Sequence, residues 1–254
     1  KEIEEILNQQ IKAALREHNR PRLGLFLSAF AAGLEVGFSV FLISTMHNLL
    51  VDQVSAAVLQ IVLALSYPIG FIFVVIGRSE LFTEHTTLAI LPVLTGSTTK
   101  RRLLVLWSTI FVGNLVGGYL FSAILINLSP NLGIASEETF VALAHHAIRH
   151  ESGVILLSAI VAGWLMGLLA WLVTASTETI SRIVIIVLVT SLIGIGGLHH
   201  SIVGSIEVFT GMVTSPSIHF SDYLNFQLWT TLGNLIGGVF FVALIKYGHT
   251  RRIR

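Results

Sequence analysis

No cysteine occurs among the 254 residues. Disulfides, thiolate metal ligands and a cysteine nucleophile are excluded with it, while the redox compartment is left open. Charge is scarce as well. Asp, Glu, Lys and Arg together make up 11% of the chain, against roughly a quarter in an ordinary soluble domain. So few charges cannot cover a water-facing surface, nor can they form the basic footprint of a nucleic-acid binder or the charged composition of a disordered chain. Five prolines exclude a collagen-like fibre. What remains is apolar: 54% of residues are hydrophobic and the mean hydropathy is +0.83. A span takes ~20 apolar residues, so this length accommodates about six with short loops.

The first 21 residues form a region of their own. Ile3, Ile6, Leu7, Ile11, Ala14 and Leu15 recur at helical spacing, with Glu2, Glu4, Glu5, Lys12 and Arg16 opposite. This predicts an amphipathic helix lying on the membrane surface or on neighbouring subunits. It lacks the apolar core of a signal peptide, and Pro21 ends it. Apolar stretches follow at about 23–49, 56–94, 103–128, 153–175, 183–213 and 224–246. The second and fifth are too long for one straight helix and carry polar residues midway. Arg78, Glu80, Thr83, Glu84 and His85 interrupt the second; Gly194, Gly196, Gly197, His199, His200 and Ser201 interrupt the fifth. Irregular backbone at membrane depth survives only where protein buries it or where it lines a wet cavity, and paired interruptions in two halves point to a transport site. Thirteen of the 15 Lys and Arg residues fall at the two termini or in the loops 95–102 and 176–182. With positive charge retained inside, an even span count and two cytoplasmic termini are expected, with 248–254 as a basic tail.

Gly113-Asn114-Leu115-Val116-Gly117-Gly118 returns as Gly233-Asn234-Leu235-Ile236-Gly237-Gly238, matching at five of six positions. The repeats are therefore read as about 22–128 and 139–247. Three spans per copy is an odd number, so the second copy runs inverted relative to the first. The Gly-x-x-x-Gly spacing permits close helix approach. Asn114 and Asn234 each need a partner at lipid depth; they are placed along the solute pathway, with bracing of the interrupted helices as the open alternative.

The run Pro68-Ile69-Gly70 leading to Glu80-Leu81-Phe82-Thr83, the His200-Ser201-Ile202 interruption and the two Gly-Asn-Leu-x-Gly-Gly motifs, in this order, resemble the formate/nitrite transporter family over nearly the whole chain from about Arg20. The resemblance implies an all-α integral membrane protein of six transmembrane helices, an aquaporin-like inverted repeat with broken second and fifth helices, assembled as a homopentamer in the inner membrane. It implies a small anionic or weak-acid solute. An intramembrane enzyme is not expected, since no Ser-Lys, His-Glu-x-x-His or paired-aspartate motif is present, and no His or carboxylate spacing completes a metal site; no cofactor and no nucleic-acid partner are expected. It places the central histidine at His200 and the first interruption at Leu81, Phe82 and Thr83. Tyr67, Phe71 and Ile193 join Leu81 in apolar constrictions. Three positions depart from the family pattern. His199 stands where an acid precedes the histidine, Arg78-Ser79 stand where Gly-Ala precedes the first acid, and Ala147 stands at the vestibule lysine.

A midplane imidazole can donate a hydrogen bond to an anion or pass it a proton, and a neutralised acid crosses an apolar constriction far more cheaply than a bare charge. The structural alternative is that His200 bonds Thr83 or an asparagine. His199, adjacent in sequence, points elsewhere and is assigned a packing or backbone-bonding role. Glu35, Arg78, Glu80 and Glu207 are charges within spans, which usually pair; an ion pair of Arg78 with Glu80, Glu35 or Glu207 is expected to brace the interruption, steering of solute by Arg78 being the other reading. Arg149, with His145, His146 and His150, is expected near the vestibule or on a solvated surface helix. A small-anion channel leads the functional readings. A neutral-solute pore for water, ammonia or hydrogen sulfide is next, and a scaffold that kept only the fold is another.

Overall fold

The computed structural model describes residues 1–251, so the last three residues of the predicted basic tail lie outside the described residues. Those described form helices α1 (Ile3–Asn19), α2 (Arg22–Leu50), α3 (Ala56–Ser66), α4 (Pro68–Gly77), α5 (Phe82–Leu88), α6 (Leu91–Leu94), α7 (Lys100–Leu132), α8 (Glu137–Ile148), α9 (Ser152–Ala175), α10 (Thr179–Ile195), α11 (Val203–Thr214) and α12 (Phe220–Gly238). A π-helical turn, Val239–Leu244, then joins α12 to α13 (Ile245–Arg251). Helix starts are signalled locally: Ser55, Thr99 and Ser136 accept backbone N–H bonds from the first turns of α3, α7 and α8, as N-caps do.

Five helical segments are long and apolar enough to cross a membrane: Arg22–Leu50, Ala56–Gly77, Lys100–Leu132, Ser152–Ala175 and Phe220–His249. Thr179–Ile195 and Val203–Thr214 are apolar but shorter, because the backbone leaves the helical path between them. Large apolar side chains face outward on these helices, as at Leu157, Leu188 and Leu228, while small residues face inward. Water cannot solvate such an exterior, and lipid can; the chain is an all-α membrane protein.

Two helix pairs dominate the core. Gly33 of α2 meets Asn114 and Gly118 of α7, Gly117 meets Phe30 and Leu34, and Gly37 meets Phe121. The same crossing recurs between α9 and α12, where Gly163 meets Asn234, and Gly237 meets Ile160 and Trp164. A β-carbon at Gly117 or Gly237 would run into the partner helix's backbone, so these helices are in backbone contact as small-residue packing allows. Both numbers rise together in each set of contacts, so each pair runs parallel. The repeated motif signalled one side of each crossing; Gly33 and Gly163, on the other side, had no motif to mark them.

Helix α1 packs its apolar stripe on its own chain. Ile6 and Leu7 are buried against Leu91, Trp171 and Val242, and Ala14 packs with Leu88 and Ala170. Lys1 Nζ donates to the Thr174 carbonyl at 2.5 Å, and His18 Nε2 bonds the Ala89 carbonyl at 2.9 Å. The apolar stripe predicted the helix; its own chain supplies the surface it covers.

Candidate functional site

The two departures from helix are built alike. After α4, Arg78 takes a left-handed conformation (φ 61), and its N–H and that of Ser79 both point to the Val74 carbonyl. After α10, Gly197 takes φ 56, and Leu198 N donates to the Ile193 carbonyl at 3.0 Å. Both are helix C-terminal turns of the kind that favours glycine. The extended residues that follow expose backbone groups inside the protein, and one asparagine satisfies each set. Asn114 Nδ2 donates to the carbonyls of Ala29 (2.7 Å) and Glu80 (2.9 Å), and its Oδ1 accepts from Phe82 N (2.8 Å). Asn234 Nδ2 donates to Ala159 O (2.8 Å) and His199 O (3.0 Å), and its Oδ1 accepts from Ser201 N (2.8 Å). Both asparagines are fully enclosed. Their amide groups are spent on backbone.

The two turns meet through side chains. His200 Nε2 lies 2.8 Å from Thr83 Oγ1, and His200 Nδ1 accepts from Val203 N at 3.3 Å. A backbone N–H can only donate, so the neutral ring carries its hydrogen on Nε2 and donates it to Thr83. Phe71 stands edge-on to the imidazole at 5.3 Å between centroids and is stacked on Tyr67 at 5.3 Å. Phe82 packs edge-on against Phe111, and Leu81 is completely buried. The Ser201 hydroxyl, also enclosed, has no hydrogen-bond partner among the described residues.

A cavity of about 440 Å³ reaches this point. Tyr67, Ile193, His199 and His200 line its enclosed part, with Glu207 of α11 on its wall; His47, His146 and Arg149 also border it. Ala147 lines the same cavity. Of the predicted pathway residues, the structure thus brings Tyr67, Ile193 and His200 to the cavity and sets Phe71, Thr83, Leu81 and Phe82 behind them. His146 is held below the ordinary imidazole range by burial and then by the nearby charges of Arg149, His150 and His47.

His199 faces away from its neighbour. Its Nε2 donates to the Ala147 carbonyl (3.0 Å), and its backbone N and Nδ1 both contact Ser158 Oγ (3.1 and 2.8 Å). Ser158 carried no sequence signal, since a lone serine in an apolar helix has many innocent explanations.

The expected ion pair of Arg78 is not formed. Arg78 is exposed, and among the described residues no ion pair joins it to an acid. Its left-handed backbone turns the side chain outward, and Glu80 instead pairs with His85 and with Arg20 Nη1 at 3.2 Å. Arg20 also holds Glu17 at 3.1 Å, so the first turn is tied to the start of α2 and the end of α1. Glu35 lies beside Ser79 of the same turn, and its Oε2 is buried without a hydrogen-bond partner among the described residues. Glu207 has no part in this group; it faces the cavity.

A protein-family model described as "Formate/nitrite transporter" matches residues 4–248. Inner membrane protein YfdC of Escherichia coli (strain K12) is 32% identical over 239 residues, covering 93% of this chain and 75% of its own. Among solved structures, an "FNT family ion channel" superposes with a TM-score of 0.85 at 24% identity, covering 96% of this chain and 98% of that one. A "Pentameric formate channel with formate bound" gives 0.75 at 20% identity, covering 96% and 99%.

Proposed function

The chain belongs to the formate/nitrite transporter family, and from that premise we propose that it is a channel for small monovalent anions or their conjugate acids. The observation that carries this reading is the His200–Thr83 hydrogen bond, which joins the two non-helical turns beside the inner part of the cavity. In the proposed architecture there are six spans: α3–α6 form a broken second span, α10 and α11 a broken fifth, and the two halves are inverted repeats. The protein sits in the inner membrane with both termini cytoplasmic, as a homopentamer, an assembly supported by the likeness to the pentameric formate channel.

Solute enters the cavity past Arg149 and His146 and meets Tyr67 and Ile193 before reaching His200. The neutral imidazole donates its one ring hydrogen to Thr83, and an incoming solute oxygen competes with Thr83 for it. Phe71 and Leu81 complete an apolar constriction. A bare anion loses its hydration there at high cost, and its protonated acid does not. Flux of a weak acid is therefore expected to rise as the medium is acidified. Val203 N–H on Nδ1 opposes the imidazolium, so His200 acts chiefly as an oriented hydrogen-bond donor. Asn114 and Asn234 hold the two turns open rather than touch the solute.

A second reading, a neutral-solute pore, has its own support: Ala147, lining the cavity, offers no cation. That disfavours an anion relative to water or ammonia. Liposome uptake of formate, nitrite, chloride and ammonia at two pH values, beside His200→Phe, separates the two. Acid-stimulated anion flux lost in the variant supports the anion channel. Uptake of ammonia alone moves the protein to the second reading, and anion flux that His200→Phe leaves unchanged removes His200 from the pathway.

A further inference from the structure

A second, larger cleft of about 760 Å³ opens far along the chain from the histidine turn, where the first residues of α2 and α7 lie together. Because α2 and α7 run parallel, both present their amino ends to this cleft, and a helix amino end carries partial positive charge on free N–H groups. Helices usually offset that charge with acids in the first turn. Neither of these does: their first turns contain no acidic residue. The cleft is lined instead by Arg20, Arg22, Arg101 and Arg102. Arg20 is engaged with Glu17 and Glu80, and Glu17 is the one acid lining the cleft. Among the described residues, Arg22, Arg101 and Arg102 are in no ion pair. The corresponding ends of α9 and α12 show no such excess, with Glu151 preceding one and Asp222 in the first turn of the other.

Leu25, Val105 and Leu106 form the cleft's apolar wall. The wall continues onto the outer surface through Leu27, Leu104 and Val112, each about half exposed. Three unpaired guanidinium groups over two helix amino ends call for an anion with several oxygens. The adjoining apolar flank calls for an occupant with a hydrocarbon part.

We propose that this cleft binds the phosphate headgroup of an anionic phospholipid, with its acyl chains lying along the exposed flank of α2 and α7. Guanidinium forks match phosphate oxygens in pairs, and basic pockets at the membrane–water boundary hold such headgroups.

The test uses the full chain purified in neutral detergent and the triple variant Arg22→Gln, Arg101→Gln, Arg102→Gln. Retention of added phosphatidylglycerol and phosphatidylcholine is counted by native mass spectrometry, and thermal stabilisation is followed with each lipid. Each arginine contributes roughly a fivefold factor at a membrane surface, so the triple variant is expected to bind phosphatidylglycerol on the order of a hundredfold more weakly. The unmodified protein is expected to prefer phosphatidylglycerol over phosphatidylcholine at least tenfold, a comparison that needs no variant to fold. Equal retention of the two lipids overturns the proposal, as does undiminished retention of phosphatidylglycerol by a folded variant. If sn-glycerol 3-phosphate stabilises the protein as well as the lipid does, the site takes soluble phosphates and the lipid assignment fails. If the variant changes the oligomeric state while lipid preference is absent, the cleft is a subunit contact and the proposal is likewise overturned.

Discussion

The turn after α4 and the turn after α10 share one backbone design and carry different chemistry. Each begins with a left-handed residue, Arg78 or Gly197, and each is pinned by three bonds from an asparagine, Asn114 or Asn234. Equivalent positions then diverge. Glu80 enters an ionic group with His85 and Arg20, whereas His199 makes neutral bonds to Ser158 and Ala147. Leu81 has an apolar side chain where His200 has an imidazole. The frame tolerates this because its hydrogen bonds are made by backbone atoms, so the side chains projecting from it are free to specialise.

If the frame is shared, its pins must be worth the same. Asn114→Leu and Asn234→Leu each strand one buried N–H and one non-helical carbonyl, that of Glu80 or His199, so each is expected to destabilise the protein by about 4 kcal/mol, read by chemical denaturation in detergent. A gap between them larger than the cost of one hydrogen bond would break the equivalence. The ionic and neutral anchors should differ next. His85→Phe leaves Glu80 with only the half-exposed Arg20, at a cost of about 3 kcal/mol; His199→Phe gives up neutral bonds, at about 1–2 kcal/mol. The reverse order would show that the second turn, not the first, depends on its side chains.

The left-handed positions offer a finer comparison. Arg78→Gly relieves the β-carbon of a left-handed residue and is expected to raise stability by up to about 1 kcal/mol, while Gly197→Ala lowers it by a similar amount. Both shifts appear as midpoint changes in the same denaturation series. A drop in stability for Arg78→Gly would mean that the arginine side chain has a partner beyond this chain.

The smallest expected effect concerns the end of α1. His18 is held below its ordinary value of 6.5 by burial, with His85 and Arg102 adding in the same direction. The unfolded chain therefore binds a proton before the folded one does, so His18's contribution is present above about 6.5 and lost as pH falls below it. Glu17 is shifted upward, first by burial and then by Glu80; its contribution runs the other way, fullest below its ordinary value of 4.5 and lost as pH rises. Protection of the α1 amides, their exchange rate set against the intrinsic rate at each pH, should fall as pH drops below 6.5, and His18→Gln should flatten that response. Protection unchanged across this range in the unmodified protein sinks the prediction.

The scarcity of charge and the positions of the apolar stretches determined, from the sequence alone, that the chain is a bundle of membrane helices, because composition reports the solvent each stretch meets. The repeated Gly-Asn motif likewise showed that two regions are built alike, since backbone contact between helices admits only the smallest residues. Partners were another matter. Arg78 stands two residues from Glu80, yet Glu80 is paired with Arg20, sixty positions away. A single left-handed residue redirects the side chain, and no periodicity encodes that. Ser158, Gly33 and Gly163 became visible only when their helices crossed the motifs they serve. The same holds for α1, whose stripe announced an amphipathic helix but not the surface beneath it. Contacts between distant segments depend on the path of the backbone through the interruptions, and only the tertiary structure fixes that path.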